Sequence, residues 1–156
     1  MAHVAAQLAP EAQAAMVEGL TQAVAEICVE TMKAQNYHWN VAGMAFGPLH
    51  ELFQEIYEDH FEAQDTLAER VKALDAHAEG RLSAFLERSK IQECDGRIPA
   101  ETMVATLAAD QEVIAATLLA LADKAEEHGD MITNDMAIGR AQAHEKFAWM
   151  LRSHLT

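Results

Sequence analysis

The sequence has few of the residues that interrupt helices and few that cross-link chains. Its 156 residues include three prolines, seven glycines and two cysteines, Cys28 and Cys94. Two cysteines form neither a disulfide framework nor a thiolate metal motif, and they suit a reducing compartment. The N-terminal residues lack a basic region followed by an apolar run, so we expect no signal peptide. No stretch approaches the roughly 18 apolar residues of a membrane span, and the cytoplasm is the expected compartment.

Basic residues are also scarce. Eleven Lys and Arg residues stand against 25 Asp and Glu residues, which gives a formal net charge of −14, and no Lys or Arg precedes Lys33. Such a chain repels the phosphates of nucleic acid and of anionic membranes, and it attracts cations. Solubility alone is a plainer interpretation of the acidity. The charge therefore argues against a nucleic-acid or membrane partner without identifying a function.

Helix-forming residues are abundant. Apolar residues make up 51% of the chain, and Ala, Leu, Glu, Gln and Met all favour helices. Apolar stripes with steps of three and four residues predict four long helices. Their expected bounds are about 10–40, 48–76, 99–128 and 133–154. With a short helical segment inside 81–98, the pattern predicts an all-α fold, a four-helix bundle formed by a single domain over residues 1–156.

The eight histidines are candidate metal ligands. None of them has a Glu three residues before it, so the Glu-x-x-His motif of conventional di-iron bundles is absent. A site contained in one bundle is therefore not expected. His38 ends the first helix and His50 begins the second, so a hairpin brings them close. Asp65 and Glu69 share one face of the second helix, and two imidazoles with two carboxylates suit iron, manganese or zinc.

One chain cannot gather these four side chains around a metal. His50 and Asp65 lie fifteen residues apart on a straight helix, which is about 22 Å at 1.5 Å per residue. On a helical wheel Asp65 and Glu69 point roughly opposite to the apolar stripe. A solvated acidic face is one interpretation of this pair. A metal site is the other, and it requires a second subunit to supply both carboxylates.

The segment HWNVAGMAFGPLHELF, followed by DTLAER, resembles the Dps (DNA-binding protein from starved cells) miniferritin family. The family pattern is a His followed by Trp, a second His with eleven residues between it and the first, then fourteen residues, Asp, three residues and Glu-Arg. The matching residues here are His38, Trp39, His50, Asp65, Glu69 and Arg70. The C-terminal segment TNDMAIGRAQAHEKFAWMLRSHL and the short helix between the second and third long helices are also similar to the family. The resemblance covers about residues 12–155.

This resemblance implies a ferritin-like four-helix bundle with a short extra helix, assembled as a hollow dodecamer of dimers. It implies oxidation of ferrous iron, preferably by hydrogen peroxide, storage of the ferric mineral, and protection against oxidative damage. His38 and His50 would ligate iron from one subunit, with Asp65 and Glu69 from the other. Trp39 would lie beside the site as an electron donor. Zinc or manganese at the same site stays open as an alternative.

The resemblance also implies an iron-uptake pore on a three-fold axis. The acidic residues in the corresponding region are Glu126, Asp130 and Asp135, while Met131 stands where some relatives have another Asp. Acidic residues near a helix N-terminus can instead serve the helix dipole, and that interpretation is equally open for each of them.

Two departures from the family pattern affect its implications. Many relatives have an acidic residue four positions after the second His, where this chain has Gln54, so a second iron would be held less tightly. Many DNA-binding members have a Lys-rich tail that is missing here, so weak or no DNA binding is expected. The alternatives are a nucleoid-compacting protein, a purely structural bundle, and a zinc- or manganese-binding bundle without oxidase activity.

Overall fold

The structure is a computed structural model that describes residues 8–156. Residues 1–7 lie outside it. They include His3 and most of the N-terminal segment on which the signal-peptide expectation rests. The described residues form five helices and no strands: α1 (Pro10–Asn40), α2 (Phe46–Ala73), α3 (Leu82–Arg88), α4 (Ala100–Glu127) and α5 (Met131–Arg152). The all-α prediction, with a short helix between the second and third long helices, is confirmed.

The helix ends follow local chemistry. Helix α1 begins at Pro10, where a missing N–H costs nothing. Helix α2 begins two residues before the predicted Pro48, because the backbone N–H of Leu49 donates to the carbonyl of Ala45, which is the first bond of the helix. Helix α5 begins before the predicted Thr133, because the side chain of Asp130 accepts a hydrogen bond from the Thr133 backbone N–H and caps the helix.

Helix α4 is the most apolar helix. One 18-residue window has a mean hydropathy of 1.5, so length and composition alone would let it cross a membrane. The expectation that no segment reaches this level is therefore wrong for α4. Half of that window is buried inside the bundle, where α4 packs against α1 and α5. The apolar residues of α4 thus serve the core of the bundle.

The bundle consists of two helical hairpins. Helices α1 and α2 form one, α4 and α5 form the other, and α1 packs against α4 to join them, while α3 lies on α1. The core has two hydrophobic clusters, one around Leu20, Leu67 and Leu118 and one around Tyr37 and Phe53. On each long helix a buried polar residue separates the two clusters along the sequence: Glu30, His60, Gln111 and His144.

Candidate metal centre

The hairpin between α1 and α2 brings two histidines into contact. The rings of His38 and His50 are stacked, with centroids 3.7 Å apart and planes inclined by 15°. The connection between the helices is short. Gly43 within it has a backbone φ of +105°, a conformation that residues other than glycine rarely adopt. The structure therefore brings the two predicted nitrogen ligands together within one chain.

Hydrogen bonds fix both rings. The Nδ1 atom of His38 lies 2.7 Å from the carbonyl oxygen of His50, and the Nδ1 atom of His50 lies 2.7 Å from the carbonyl oxygen of His38. A carbonyl only accepts, so each Nδ1 carries the hydrogen and donates it. In the neutral rings the lone pair is then on Nε2. Metal-ligating histidines are oriented in this way by their other ring nitrogen.

Aromatic side chains pack against this pair. Phe46 stacks on His50 with ring centroids 5.0 Å apart, and Tyr57 meets the ring of His38 edge-on at 5.3 Å. His38 is 8% exposed, so little freedom remains for its ring. The packing and the hydrogen bonds together hold two imidazoles ready to bind a cation through nitrogen.

The two predicted oxygen ligands are elsewhere. Asp65 and Glu69 are exposed on α2, which runs without a break from Phe46 to Ala73. His50 and Asp65 are thus separated by about 22 Å along the helix axis. Within residues 8–156 no three His, Cys, Asp or Glu side chains gather closely enough to hold a metal ion. The structure leaves the histidine pair and the carboxylate pair apart within one chain.

An apolar groove lies on the face formed by α1, α2 and α3, which the sequence pattern did not reveal. Several large side chains that line it are exposed: Met32 by 50%, Phe61 by 71% and Leu82 by 70%. Trp39 is 60% exposed and lines one part of the groove, and Gln64, the residue before Asp65, lines another. The groove is therefore lined by a sequence neighbour of His38 and by a sequence neighbour of Asp65.

The predicted pore residues differ in accessibility. Glu126 and Asp135 are exposed, as a pore lining requires. Asp130 is only 5% exposed; its Oδ1 atom accepts from Arg70 Nη2 at 2.8 Å, and Thr133 donates to it as well. Burial acts to raise the pKa of Asp130, but the Thr133 hydrogen bonds and the Arg70 charge hold it below its usual range.

Asp130 therefore has a different role from the one predicted for it. Its carboxylate ties the start of α5 to Arg70 near the end of α2, so it is not free to attract cations. Arg70 belongs to the sequence pattern that carried the family resemblance, but the sequence alone did not predict a role for it. The alternative interpretation, an acidic residue beside a helix N-terminus, fits this position, and the structure adds that the carboxylate caps α5.

Comparison with known proteins agrees with this architecture. The family model described as Ferritin-like domain matches residues 17–156. DNA protection during starvation protein 2 of Bacillus anthracis is 35% identical over 140 residues, which cover 90% of this chain and 96% of that protein. The crystal structure of a Dps protein from Bacillus brevis superposes with a TM-score of 0.91 at 34% identity, and covers 96% of this chain and 100% of that chain.

A third similar structure is that of a Dps protein from Vibrio cholerae O1, described as a member of a broad superfamily of ferritin-like diiron-carboxylate proteins. It superposes with a TM-score of 0.91 at 28% identity, and covers 96% of this chain and 94% of that one. The bundle and its sequence match thus define a ferritin-like protein. Within that class, the chain belongs to the Dps miniferritin family, whose general function is iron storage and protection.

Proposed function

We propose that the chain is a ferroxidase that oxidises Fe(II), preferably with hydrogen peroxide, and stores the ferric mineral inside a hollow oligomer. The observation that carries this proposal is the pair of His38 and His50. Both rings are anchored through Nδ1 to main-chain carbonyls 2.7 Å away, so both Nε2 atoms are available to a metal.

A second subunit completes the site in this proposal. Asp65 and Glu69 are exposed, and the apolar groove beside them leaves Met32 and Phe61 half or more exposed. Fully burying a side chain of this kind contributes roughly 1.5–3 kcal/mol, which favours covering the groove with a second copy. A two-fold axis would set the histidine end of each α2 against the carboxylate end of its partner, and form two equivalent sites.

Iron is the substrate of this site. Two neutral imidazoles and two carboxylates balance the charge of Fe(II), and the carboxylate oxygens favour Fe(III) once it forms. Hydrogen peroxide takes one electron from each of two Fe(II) ions. It also takes up two protons and yields two waters. Zinc and manganese suit the same ligands and would compete with iron.

Trp39 has a proposed role as a nearby electron donor. It follows His38 in the sequence and its ring is 60% exposed in the groove, where a partner subunit would cover it. With only one Fe(II) bound, peroxide needs a second electron, and oxidation of the indole would supply it. A free hydroxyl radical would then not be released.

We propose that the whole chain acts as one ferritin-like domain in the cytoplasm, in a dodecamer built from dimers. Glu126 and Asp135, both exposed, would repeat around a three-fold axis and raise the local concentration of cations. With a net charge of −14, the assembly would bind DNA weakly or not at all.

Stopped-flow absorbance after addition of Fe(II), with peroxide or dioxygen as oxidant, tests the proposal. Wild type, Asp65→Asn and the control Glu145→Gln, an exposed carboxylate on α5, would be compared at equal concentration. We expect faster oxidation with peroxide, a loss of tenfold or more in Asp65→Asn, and no change in the control. Oxidation at the protein-free rate, or equal rates in wild type and Asp65→Asn, would rule out the assignment.

A further inference from the structure

The polar layer between the two hydrophobic clusters has no part in the proposed metal centre. It consists of Glu30 on α1, His60 on α2, Gln111 on α4 and His144 on α5, all 0% exposed. Buried polar groups are costly unless they are hydrogen-bonded. The position of every hydrogen in this layer therefore has consequences for the stability of the bundle.

Asp59 sets the direction of the hydrogen bonds. Its Oδ2 atom accepts from Arg140 Nη2 at 2.6 Å and lies 3.0 Å from His60 Nδ1. Burial acts to raise the pKa of Asp59, but the His60 hydrogen bond and the Arg140 charge outweigh it and hold the pKa below its usual range. The carboxylate is thus ionised and only accepts. His60 Nδ1 donates to it, and the neutral ring of His60 has its lone pair on Nε2.

Gln111 connects the other members of the layer. Its Nε2 atom lies 3.0 Å from Glu30 Oε1 and 3.0 Å from His60 Nε2, so its two hydrogens go to these two acceptors. Its Oε1 atom lies 2.6 Å from His144 Nδ1, which donates to it. The hydrogen bonds thus run one way, from His144 through Gln111 to His60 and on to Asp59, with a branch to Glu30.

This chain of bonds holds the two hairpins together. Glu30 and His60 belong to the α1–α2 hairpin, and Gln111 and His144 belong to the α4–α5 hairpin. The ion pair between Asp59 and Arg140 joins α2 to α5 in the same layer. Loss of the Gln111 amide bonds would therefore act on the contact between the hairpins.

A proton on His60 would disrupt this arrangement. His60 Nε2 would then carry a hydrogen toward the amide nitrogen of Gln111, 3.0 Å away, which is itself a donor. The weaker choice is the Oε1 atom of Gln111 at 3.2 Å, which already accepts from His144. The burial of His60 also opposes the charge and lowers its pKa, against the effect of Asp59.

A proton on His144 would find no acceptor. Its Nε2 atom is buried and has no hydrogen-bond partner within residues 8–156. The cation would lie beside His60, whose ring centroid is 4.7 Å away, and on the same helix as Arg140. Burial lowers the pKa of His144 well below its usual range, and His60 and Arg140 act in the same direction.

The surrounding charges do not compensate for a positive charge on either histidine. On α1, Glu30 has a raised pKa, chiefly through burial and then through the Asp110 carboxylate, so it is held toward its neutral form. Asp110 on α4 pairs with Lys33 on α1 at 2.7 Å. On α2 and α5, Asp59 already pairs with Arg140. The carboxylates of Asp110 and Asp59 thus each have a cation of their own, and Glu30 is held toward neutrality.

We propose that the layer of Glu30, His60, Gln111 and His144 is a proton-triggered switch. Protonation of His60 breaks the one-way hydrogen bonds, protonation of His144 leaves a buried cation without an acceptor, and either event loosens the α4–α5 hairpin from the α1–α2 hairpin. The switch lies apart from the metal centre and would operate without iron. It makes the bundle stable near neutral pH and progressively weaker in acid.

The sign of the effect follows from linkage. A histidine whose pKa is lower in the folded state than in the unfolded state, about 6.5, contributes stability above that value. This contribution is lost as the pH falls from about 6.5 toward the folded-state pKa. For one such histidine, the unfolding equilibrium constant rises by roughly tenfold between pH 6.5 and 5.0.

Deuterium exchange at the C2 positions of the histidines, followed by mass spectrometry on intact wild-type protein, measures each titration directly. We expect His60 and His144 to stay neutral down to well below pH 6. Titration of His60 and His144 at or above about pH 6.5 would overturn the proposal. This measurement needs no substitution, so it decides the question even where a variant fails to fold.

Urea unfolding at fixed protein concentration tests the energetic consequence. Wild type, His60→Gln and the control His77→Gln, an exposed histidine after α2, would be compared between pH 6.5 and 5.0. We expect His60→Gln to lose about tenfold of the acid-induced rise in the unfolding constant, and the control to behave as wild type. An unchanged pH dependence in folded His60→Gln would contradict the switch.

Discussion

His38 and His50 hold each other through the main chain, because the Nδ1 atom of each ring donates to the backbone carbonyl of the other at 2.7 Å. The acceptors belong to the backbone, so a side-chain substitution at one position leaves the anchor of the other ring in place. The positions of the Nε2 atoms, which we propose to bind metal, are thus set by the hairpin itself.

Gln54 should limit the site to one tightly bound Fe(II). It lies one turn after His50, and its Nε2 atom donates to Glu58 Oε1 at 2.8 Å, so it brings no negative charge. Anaerobic calorimetry should show one tight Fe(II) per site in wild type and a second in Gln54→Glu. The control Gln142→Glu adds an exposed carboxylate on α5 and should leave the count at one. Two equally tight ions in wild type would contradict this prediction.

Glu126 and Asp135 should speed the uptake of iron. The variant with Glu126→Gln and Asp135→Asn loses like charges around the proposed three-fold axis, which lowers the local cation concentration. Its initial rate of iron uptake should fall, and high salt should slow wild type in the same way because it screens exposed charges. Glu145→Gln serves as the control. The pore assignment fails if the double variant takes up iron as fast as wild type.

Asp130 should affect stability rather than uptake. Asp130→Ala leaves the guanidinium of Arg70 buried without its partner and removes the cap of α5, which together should cost about 3 kcal/mol of unfolding free energy. Asp130→Asn keeps the cap and should lose less. Denaturant unfolding near pH 7 provides the measurement. A loss below about 0.5 kcal/mol, the range of surface substitutions, would show that the pair is not structural.

The pH dependence of this pair has a defined sign. The pKa of Asp130 is below its usual range, so its stabilisation is present above the unfolded value of about 3.9 and is lost as the pH falls below it. This window lies under that of the buried histidines, which act below about 6.5. Acid destabilisation through the histidines therefore begins at a higher pH than acid destabilisation through Asp130.

DNA binding should be weak or absent near neutral pH. The net charge of −14 opposes contact with phosphates, and affinity for DNA grows with the number of phosphates that a protein neutralises. A gel shift at low salt, with sub-micromolar protein and no divalent ions, should leave the DNA unbound. Retention of DNA under these conditions would refute the expectation.

The sequence predicted the elements better than their contacts. The period of the apolar stripes located all four long helices, and the bounds of α1 agree with the prediction. The start of α5 differed from the predicted Thr133, because a short-range hydrogen bond from the Thr133 backbone N–H makes Asp130 the cap of the helix. Its ion pair with Arg70 joins residues 60 positions apart, a distance over which helical periodicity carries no information.

Local sequence patterns were equally limited for the His38–His50 pair and for the buried polar layer. The short connection between helices was enough to predict that His38 and His50 are close, but their exchange of backbone hydrogen bonds required coordinates. His60 and Gln111 fall at apolar-stripe positions of their helices, and a polar residue in such a stripe was a signal for the buried layer. Their meeting with Glu30 and His144 depends on how the two hairpins pack, which no local pattern specifies.

Subunit mixing tests most directly whether each metal site is shared between two chains. One variant carries His50→Ala and the other carries Asp65→Ala, so both sites are damaged in either homodimer and both proteins should be nearly inactive. In a mixed dimer one site receives both substitutions and the other receives none. Fe(II) oxidation by the mixed assemblies, confirmed by mass, should recover to about half of the wild-type rate per mixed dimer, as two-fold symmetry requires. Mixed assemblies as inactive as the separate variants would contradict the shared site.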